Sequence, residues 1–421
     1  MKKLHLLVVV LIVVPLLLAG CGGGDKAGTG KVEVFSWWTA GGEADGLNAM
    51  IKLYNEKYPN IEFVNATVAG GAGSNAKAVL ATRMQASDPP DSFQGHAGHE
   101  LIDTWAKADK LEPVTSIFKD NGWTDKFPKG VIDILTYNGE IWSVPVNIHR
   151  SNVLWYNTKI FSDAGLTAPK TLDEFFAVAN RLIAADITPL ALGDNGIWAA
   201  THLFESVLLG TMGPDKYKGL WTGTTDWNGP DVKAALENMV KILSYVNDDH
   251  AALSWDQAAQ LVIDGSAAMT IMGDWAEGYF KSKGLTPNNE FGYMPSPGTS
   301  GNFIMLSDSF TLPKGAKDHA NAVAWLTLCG SKEGQDAFNP LKGSIPARTD
   351  GDRALYDVYL QSAMDDFNSN TIVPSLAHGA AASEGWVTAF NDIMTLFVTN
   401  QDVAAAQTAM AKACVDAGVC K

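Results

Sequence analysis

The run Val32-Glu33-Val34-Phe35-Ser36-Trp37-Trp38-Thr39-Ala40-Gly41-Gly42-Glu43 sets two indoles and a carboxylate close together in the chain. An indole offers a flat apolar face and one N–H donor, and a carboxylate accepts hydrogen bonds, so the group suits non-covalent holding of a ligand. Val32 and Val34 alternate with Glu33 and Phe35, the period of a short strand. In open α/β sheets ligands bind beyond the carboxyl ends of strands, where loops lead into helices, and the tryptophans stand there. The alternative is that both fill core, the commoner use of tryptophan. Adjacent residues at a strand end point in opposite directions, so one of the pair can face a ligand while the other packs inward.

His96-Ala97-Gly98-His99-Glu100 has the residue types of a metal site. The inverted zincin order is H-x-x-E-H, however, and here the glutamate follows the second histidine. A solvated helix start at His99-Glu100 is the plainer expectation. No G-x-S-x-G, G-x-G-x-x-G, H-E-x-x-H or P-loop pattern occurs, and no cysteine–histidine cluster has zinc spacing. The expectation is therefore no catalytic residue, no metal and no cofactor.

The elements that must position these groups follow a βα order. After the first strand, Leu47, Met50, Ile51, Tyr54 and Tyr58 recur at helical spacing until Pro59-Asn60. Ile61 to Val68 reads as a strand, Gly70 to Gly73 as a flexible loop, and Asn75 to Ala86 as a helix. Pro89-Pro90-Asp91 leads into a segment ending at Gln94-Gly95-His96. Val153-Leu154-Trp155-Tyr156-Asn157 and Ala267 to Met272 are further apolar strands, and the latter runs into Gly273-Asp274-Trp275. Thr171-Leu172-Asp173-Glu174 and Ser254-Trp255-Asp256-Gln257 are capping-box patterns. Phe303 to Asp308 reads as a strand returning to the first half of the chain. Trp221 and Trp227, flanked by glycine and threonine, are candidates to line a cleft.

Residues 1–20 stand apart from the fold. Lys2 and Lys3 precede an apolar run from Leu4 to Leu18, and Leu18-Ala19-Gly20-Cys21 closes it. At roughly fifteen apolar residues the run is short for a membrane span and has the layout of a secretory signal. A small-residue cleavage site directly before a cysteine resembles the bacterial lipoprotein signal, in which Cys21 would carry lipid. Residues 21–30 then read as a flexible tether. Losing Lys2 and Lys3 takes the formal charge from −15 to −17. An acidic chain without a basic stripe is a poor phosphate binder, which argues against nucleic acid as a partner. Cys414 and Cys420 are spaced for a small closing loop, and Cys329 lies in an apolar helical pattern as a buried thiol. About 390 residues exceed what one core usually supports, so two domains are expected.

Taken in order, these segments resemble the extracellular sugar-binding proteins of ABC importers, in particular the group that binds glucose-type monosaccharides. The shared markers are Val34-Phe35-Ser36-Trp37-Trp38 with Gly42-Glu43, Asp91-Ser92-Phe93-Gln94-Gly95-His96, Gly139-Glu140-Ile141-Trp142-Ser143-Val144-Pro145 and Trp155-Tyr156-Asn157. Met272-Gly273-Asp274-Trp275, Ser307-Asp308-Ser309-Phe310, Lys342-Gly343-Ser344-Ile345-Pro346 and His378-Gly379 complete the set. The resemblance implies a two-lobed α/β fold of the periplasmic-binding-protein kind, each lobe an open sheet flanked by helices. It implies an N-terminal lobe of 31–144 with 306–346 and a C-terminal lobe of 145–305 with 347–421. It implies sugar contacts by Trp37, Trp38, Glu43, Gln94, His96, Asp274, Trp275, Asp308, Lys342 and His378. Its partners would be a monosaccharide and the membrane permease subunits of an ABC importer, met by a monomer held by lipid at the cell membrane and facing the periplasm or cell exterior.

A hexose suits this set physically. A pyranose has faces of C–H groups that pack on indoles and a rim of hydroxyls that donate and accept. Asp, Glu, Gln, His and Lys side chains can satisfy that rim in a water-poor cleft, where an unpaired hydroxyl would be costly. A secreted glycoside hydrolase would need two carboxylates across the scissile bond, with Glu43 and Asp308 or Asp274 as the nominal pair. A receptor for an oligosaccharide, polyol or peptide on the same scaffold is the other alternative.

Overall fold

A computed structural model describes residues 28–421. The leader, Cys21 and most of the tether lie outside the described residues. Five strands form the first sheet, side by side in the order Ile61–Thr67, Gly30–Ser36, Ser92–His96, Asp308–Thr311 and Ser143–Pro145. The first three run parallel, joined by helices, and the last two join antiparallel. Ser92–His96 lies at the centre and is buried along its whole length. The helix Gly41–Lys57 turns Leu47, Met50 and Tyr54 inward, and the Tyr54 hydroxyl donates to the Asn321 carbonyl at 2.9 Å, tying it to the helix His319–Gly330.

The second lobe is built on the strands Phe291–Pro295, Val153–Asn157, Ala267–Ile271 and Thr188–Ala191. Its helix Leu172–Ile183 starts at the expected capping box, with Thr171 and Glu174 bonded reciprocally. The long helix Trp198–Thr222 is buried over most of its first half, kinks at Gly213 (φ 77°) before Pro214 and ends at Gly223 (φ 73°). Trp221 and Trp227 do not reach a cleft: they pack edge to face with each other, 5.3 Å apart, and Trp221 packs on Trp386, in the core beneath that helix.

Between the lobes lies a third sheet of Thr371–Pro374, Asn302–Leu306 and His149–Arg150. The returning strand is two strands rather than one. It leaves this sheet at Leu306, breaks at Ser307, and enters the first sheet as Asp308–Thr311. The Ser307 hydroxyl donates to the Asn147 carbonyl at 2.7 Å, so the two crossings are stitched together where they pass.

The lobes are closed on each other. Gly71 of the first lobe lies so near the Trp198 indole that a Cβ there would sit 2.7 Å from its Nε1. The Glu100 amide donates across the gap to the Gly379 carbonyl at 2.9 Å. At the chain's end Cys414 and Cys420 are joined, with their Cα atoms 5.2 Å apart, and Cys329 is a buried thiol. Among the described residues no helix is long and apolar enough to cross a membrane.

Candidate functional site

Strand ends supply the first wall of the site. Trp37 and Trp38 follow directly on Gly30–Ser36, and their neighbours separate their roles. Trp37 lies over Gly73, where a Cβ would come 2.7 Å from its ring, and is 5.0 Å from the His96 ring. Trp38 is wedged against Phe310 and Phe338 and is 1% exposed, partly cavity wall and partly core. Lys342, at the end of the helix Lys332–Lys342, points its Nζ between the rings of Trp38 and Trp275, 5.8 Å from each. It donates to Glu43 Oε1 at 2.9 Å. A desolvated ammonium over two indole faces gains from their quadrupoles as well as from the carboxylate.

The neighbouring strand ends add the polar groups. Gln94 accepts from the Trp37 amide (3.2 Å) and donates to Asp308 Oδ1 (2.9 Å), while Asn147 donates to Asp308 Oδ2 (2.8 Å). Burial disfavours a charge on Asp308, but His149, Lys342 and His96 around it overcome that and hold it below the ordinary carboxylate range. His96 pairs through Nδ1 with Glu100 at 2.7 Å, leaving Nε2 toward the cleft, 3.8 Å from Asp308. Glu100 is itself buried. The charges of His96 and Lys77 outweigh that burial and keep its carboxyl down at about 2. The expected solvated helix start thus holds for His99, which is exposed and pairs with Asp103, but not for Glu100, which is tied up behind the site.

The second lobe closes the other side. Gly273 lets the Trp275 indole fold back over the backbone, a position any Cβ would occupy. Trp275 meets the rings of His378 at 5.1 Å, His149 at 5.3 Å and His202 at 5.4 Å. His378 bonds Ser375 through Nδ1 at 3.0 Å. Burial, with His96 and His202 nearby, pushes its pKa well below the usual histidine value, so it stands as a neutral ring that both donates and accepts. Glu205 behind it accepts from the hydroxyls of Ser151 and Ser375 and from the amides of Leu376 and Ala377. His202, Glu205 and His378 have a metal-capable donor set, but both oxygens of the Glu205 carboxyl are already taken up by these bonds, and the group serves as framework for the loop carrying His378.

The structure brings Trp37, Trp38, Glu43, His96, Trp275, Asp308, Lys342 and His378 around one cavity between the lobes. Gln94 and Asp274 do not line it. Gln94 is consumed in orienting Trp37 and Asp308, and Asp274 is fully buried, pairing with His149 and accepting from the Arg150 amide at 2.9 Å. Sequence reasoning passed over His149, Trp198, Trp255 and the Gly71-Ala72 loop, all of which line the cavity. The glycine loop was visible as a loop, but no local pattern separated the two tryptophans, core or rim by sequence, from the chain's other indoles.

The comparisons with known proteins agree with this architecture. Residues 40–336 match the model of the bacterial extracellular solute-binding protein family. The chain belongs to this family. It is 40% identical, over 96% of its length and 94% of the other's, to an uncharacterised ABC transporter extracellular-binding protein of Pyrococcus horikoshii. A probable sugar-binding periplasmic protein of Mesorhizobium japonicum is 34% identical over 88% of this chain and 89% of that one. Among solved structures, a bacterial solute receptor with exclusive preference for β-D-galactopyranose aligns at TM-score 0.81 and 18% identity, covering 93% of this chain and 99% of that one. A chitin oligosaccharide binding protein aligns at TM-score 0.81 and 23% identity, covering 94% and 99%. As a member of this family the chain is a solute-binding receptor, not an enzyme.

Proposed function

We propose that this receptor captures a monosaccharide of the glucose, galactose or mannose type between its lobes and delivers it to the permease of an ABC importer. One observation carries the reading: one pocket between the lobes has five indoles in its walls (Trp37, Trp38, Trp198, Trp255, Trp275) together with Glu43, His96, Asp308, Lys342 and His378. Indole faces take the C–H faces of a pyranose, and the rim groups supply both donors and acceptors for its hydroxyls. The sugar-binding relatives support the same class of ligand. Lobes of 31–144 with 306–346 and of 145–305 with 347–421 would open by rotation about the crossings, and closure would present the loaded form to the permease. Lipid on Cys21 would hold the receptor at the membrane, outside the cell or in the periplasm.

A second reading, a short oligosaccharide or glycoside, is favoured by a vestibule of about 1270 Å³, partly open to solvent, that shares Trp37, Glu43, Gly71, Trp198 and Trp255 with the inner cavity. Asn75, Asn195, Ser254 and Asp256 give it hydroxyl-pairing groups. Titration with glucose, galactose, mannose and maltose, followed by calorimetry and tryptophan fluorescence, separates the two. A saturating response to one hexose, tighter than to maltose, supports the monosaccharide reading. Preference for maltose supports the second, and silence with all four sinks both.

A further inference from the structure

His149 occupies a position that the sugar reading leaves unassigned. It lies at the start of the short strand His149–Arg150, on the crossing between lobes, and its ring lines the cavity while being 1% exposed. Nδ1 pairs with Asp274, a carboxylate whose other oxygen accepts from the Arg150 amide, so ring and backbone are clamped together from one side. Nε2 makes no hydrogen bond to protein, although it is buried. It lies in ion-pair contact with Asp308 Oδ2 at 3.4 Å, outside hydrogen-bonding geometry.

A buried N–H that reaches its carboxylate only as an ion-pair contact and makes no hydrogen bond leaves that capacity unused, and a hydroxyl can bridge the two. An imidazolium is the form that suits the surroundings: Asp274 takes the Nδ1 proton, and a lone pair on Nε2 would face the ionised Asp308. The other charged or titratable groups facing this corner are Lys342, from the end of its helix, and His96, from the first sheet. Asp274 and Asp308 are the charged groups in ion-pair contact with the ring. Burial works against the cation, but Asp274 and Asp308 outweigh it together and raise the pKa of the ring.

Resting on the sugar reading, we infer that His149 Nε2–H and the Asp308 carboxylate form a donor–acceptor pair for one sugar hydroxyl, with Asp274 as the positioning residue that aims the ring. One hydroxyl would accept from Nε2–H through its oxygen and donate its own proton to Asp308. This gives Asp274 a role without sugar contact and explains why a carboxylate at a family marker is fully buried.

The test combines variants with D-glucose and the set of monodeoxy glucoses, titrated by calorimetry. If the pair serves one hydroxyl, His149→Phe weakens glucose about tenfold while leaving unchanged the affinity for the one deoxy sugar that lacks that hydroxyl. His149→Gln, whose amide N–H reaches a similar position, recovers part of the loss and guards against a folding defect in the first variant. Equal losses for every deoxy sugar, or none for glucose, would overturn the pairing while leaving the sugar reading intact. No glucose binding by the wild type turns the series to galactose and mannose, and silence with all three overturns the sugar reading and this inference with it. Nitrogen NMR of labelled histidines in the ligand-free protein is an independent check. At neutral pH both His149 nitrogens carry protons in the wild type, and Asp274→Asn removes one. A singly protonated His149 in the wild type sinks the proposal whatever the sugar.

Discussion

Lys77 Nζ lies 3.1 Å from Glu384 Oε2, joining the helix Ser74–Gln85 of the first lobe to the opening turn of the helix Glu384–Asn400 in the second. The same ammonium is 2.8 Å from Glu100, which holds His96 at the edge of the cavity. A line of polar and charged groups therefore runs from a cavity-lining imidazole to a contact between lobes. The pair is partly exposed, and such pairs contribute up to about 1 kcal/mol. Glu384→Gln cuts only the link between lobes and leaves Lys77 with Glu100. The expected result is a loss of sugar affinity of up to about fivefold, shrinking at high salt as the wild-type pair is screened. Calorimetry at low and high ionic strength reads both effects, and an affinity identical to wild type at low salt would show that the pair does not bias closure.

The two adjacent tryptophans answer differently to truncation. Trp37 rests on Gly73 and His96 at the cleft, whereas Trp38 also fills space between Phe310 and Phe338. Trp37→Ala is expected to weaken sugar binding at least tenfold, about 1.4 kcal/mol, at a smaller cost in stability than truncation of Trp38. Trp38→Ala is expected to weaken binding and also to cost about 3–5 kcal/mol of folding stability, the range for removing a large buried aromatic. Denaturant titration beside calorimetry separates the two. His378→Ala belongs with Trp37 in its effect on affinity, because its ring meets Trp275 and His96 at the cavity.

Behind the cavity, two buried groups respond to pH in opposite senses. Burial pushes the Glu205 carboxyl up to about 7, so the folded state holds a proton that the unfolded chain releases near 4.5. Its contribution to stability is therefore full below the unfolded value and is lost as pH rises through about 7. His202 is held by burial at about 3, and the unfolded chain takes up a proton near 6.5. Its contribution is full above the unfolded value and is lost as pH falls toward about 3. Between the two unfolded values the slopes offset each other. Glu205→Gln removes one of them, so stability of the variant should fall steadily on acidification from about pH 7, where the wild type stays flatter until about pH 4.5. Equal slopes for the two proteins in denaturant titrations across that window would contradict the assignment.

Much of the fold was legible because its signals are local. The capping box at Thr171, the alternation around Val34 and the helical spacing of Leu47, Met50 and Tyr54 each depend on residues a few positions apart. The site was legible in part, where strand ends carry unusual residues, as at Trp37, Trp38 and His96. Trp198 was not, because it opens a helix buried on nearly every side, and a tryptophan at the head of such a helix has no pattern that separates wall from core. Its one signal lies in the other lobe, at Gly71, where only a missing side chain leaves room for the indole. Gln94 and Asp274 show the converse. Their residue types suit a sugar rim, but their hydrogen bonds go to neighbours fixed by tertiary packing, Asp308 and Trp37 for one and His149 and Arg150 for the other.

The two lobes meet closely at a glycine. Gly278, on the helix Trp275–Ser282, touches the end of the helix Lys332–Lys342, where an added Cβ would overlap the Lys342 carbonyl and lie 2.9 Å from the Leu341 oxygen. Those atoms are backbone, so no side-chain rotation relieves the overlap. Gly278 does not have a positive φ, and alanine is a better helix former than glycine, so the second lobe alone should accept the substitution. Gly278→Ala is therefore expected to act as a wedge: the protein folds with at least wild-type helix content, the lobes fail to meet, and sugar affinity falls more than about tenfold. Solution X-ray scattering with saturating sugar gives the decisive reading, since the wild type should contract and the variant should not. A variant that contracts and binds as the wild type does would mean that the two helices can slide apart without opening the cleft.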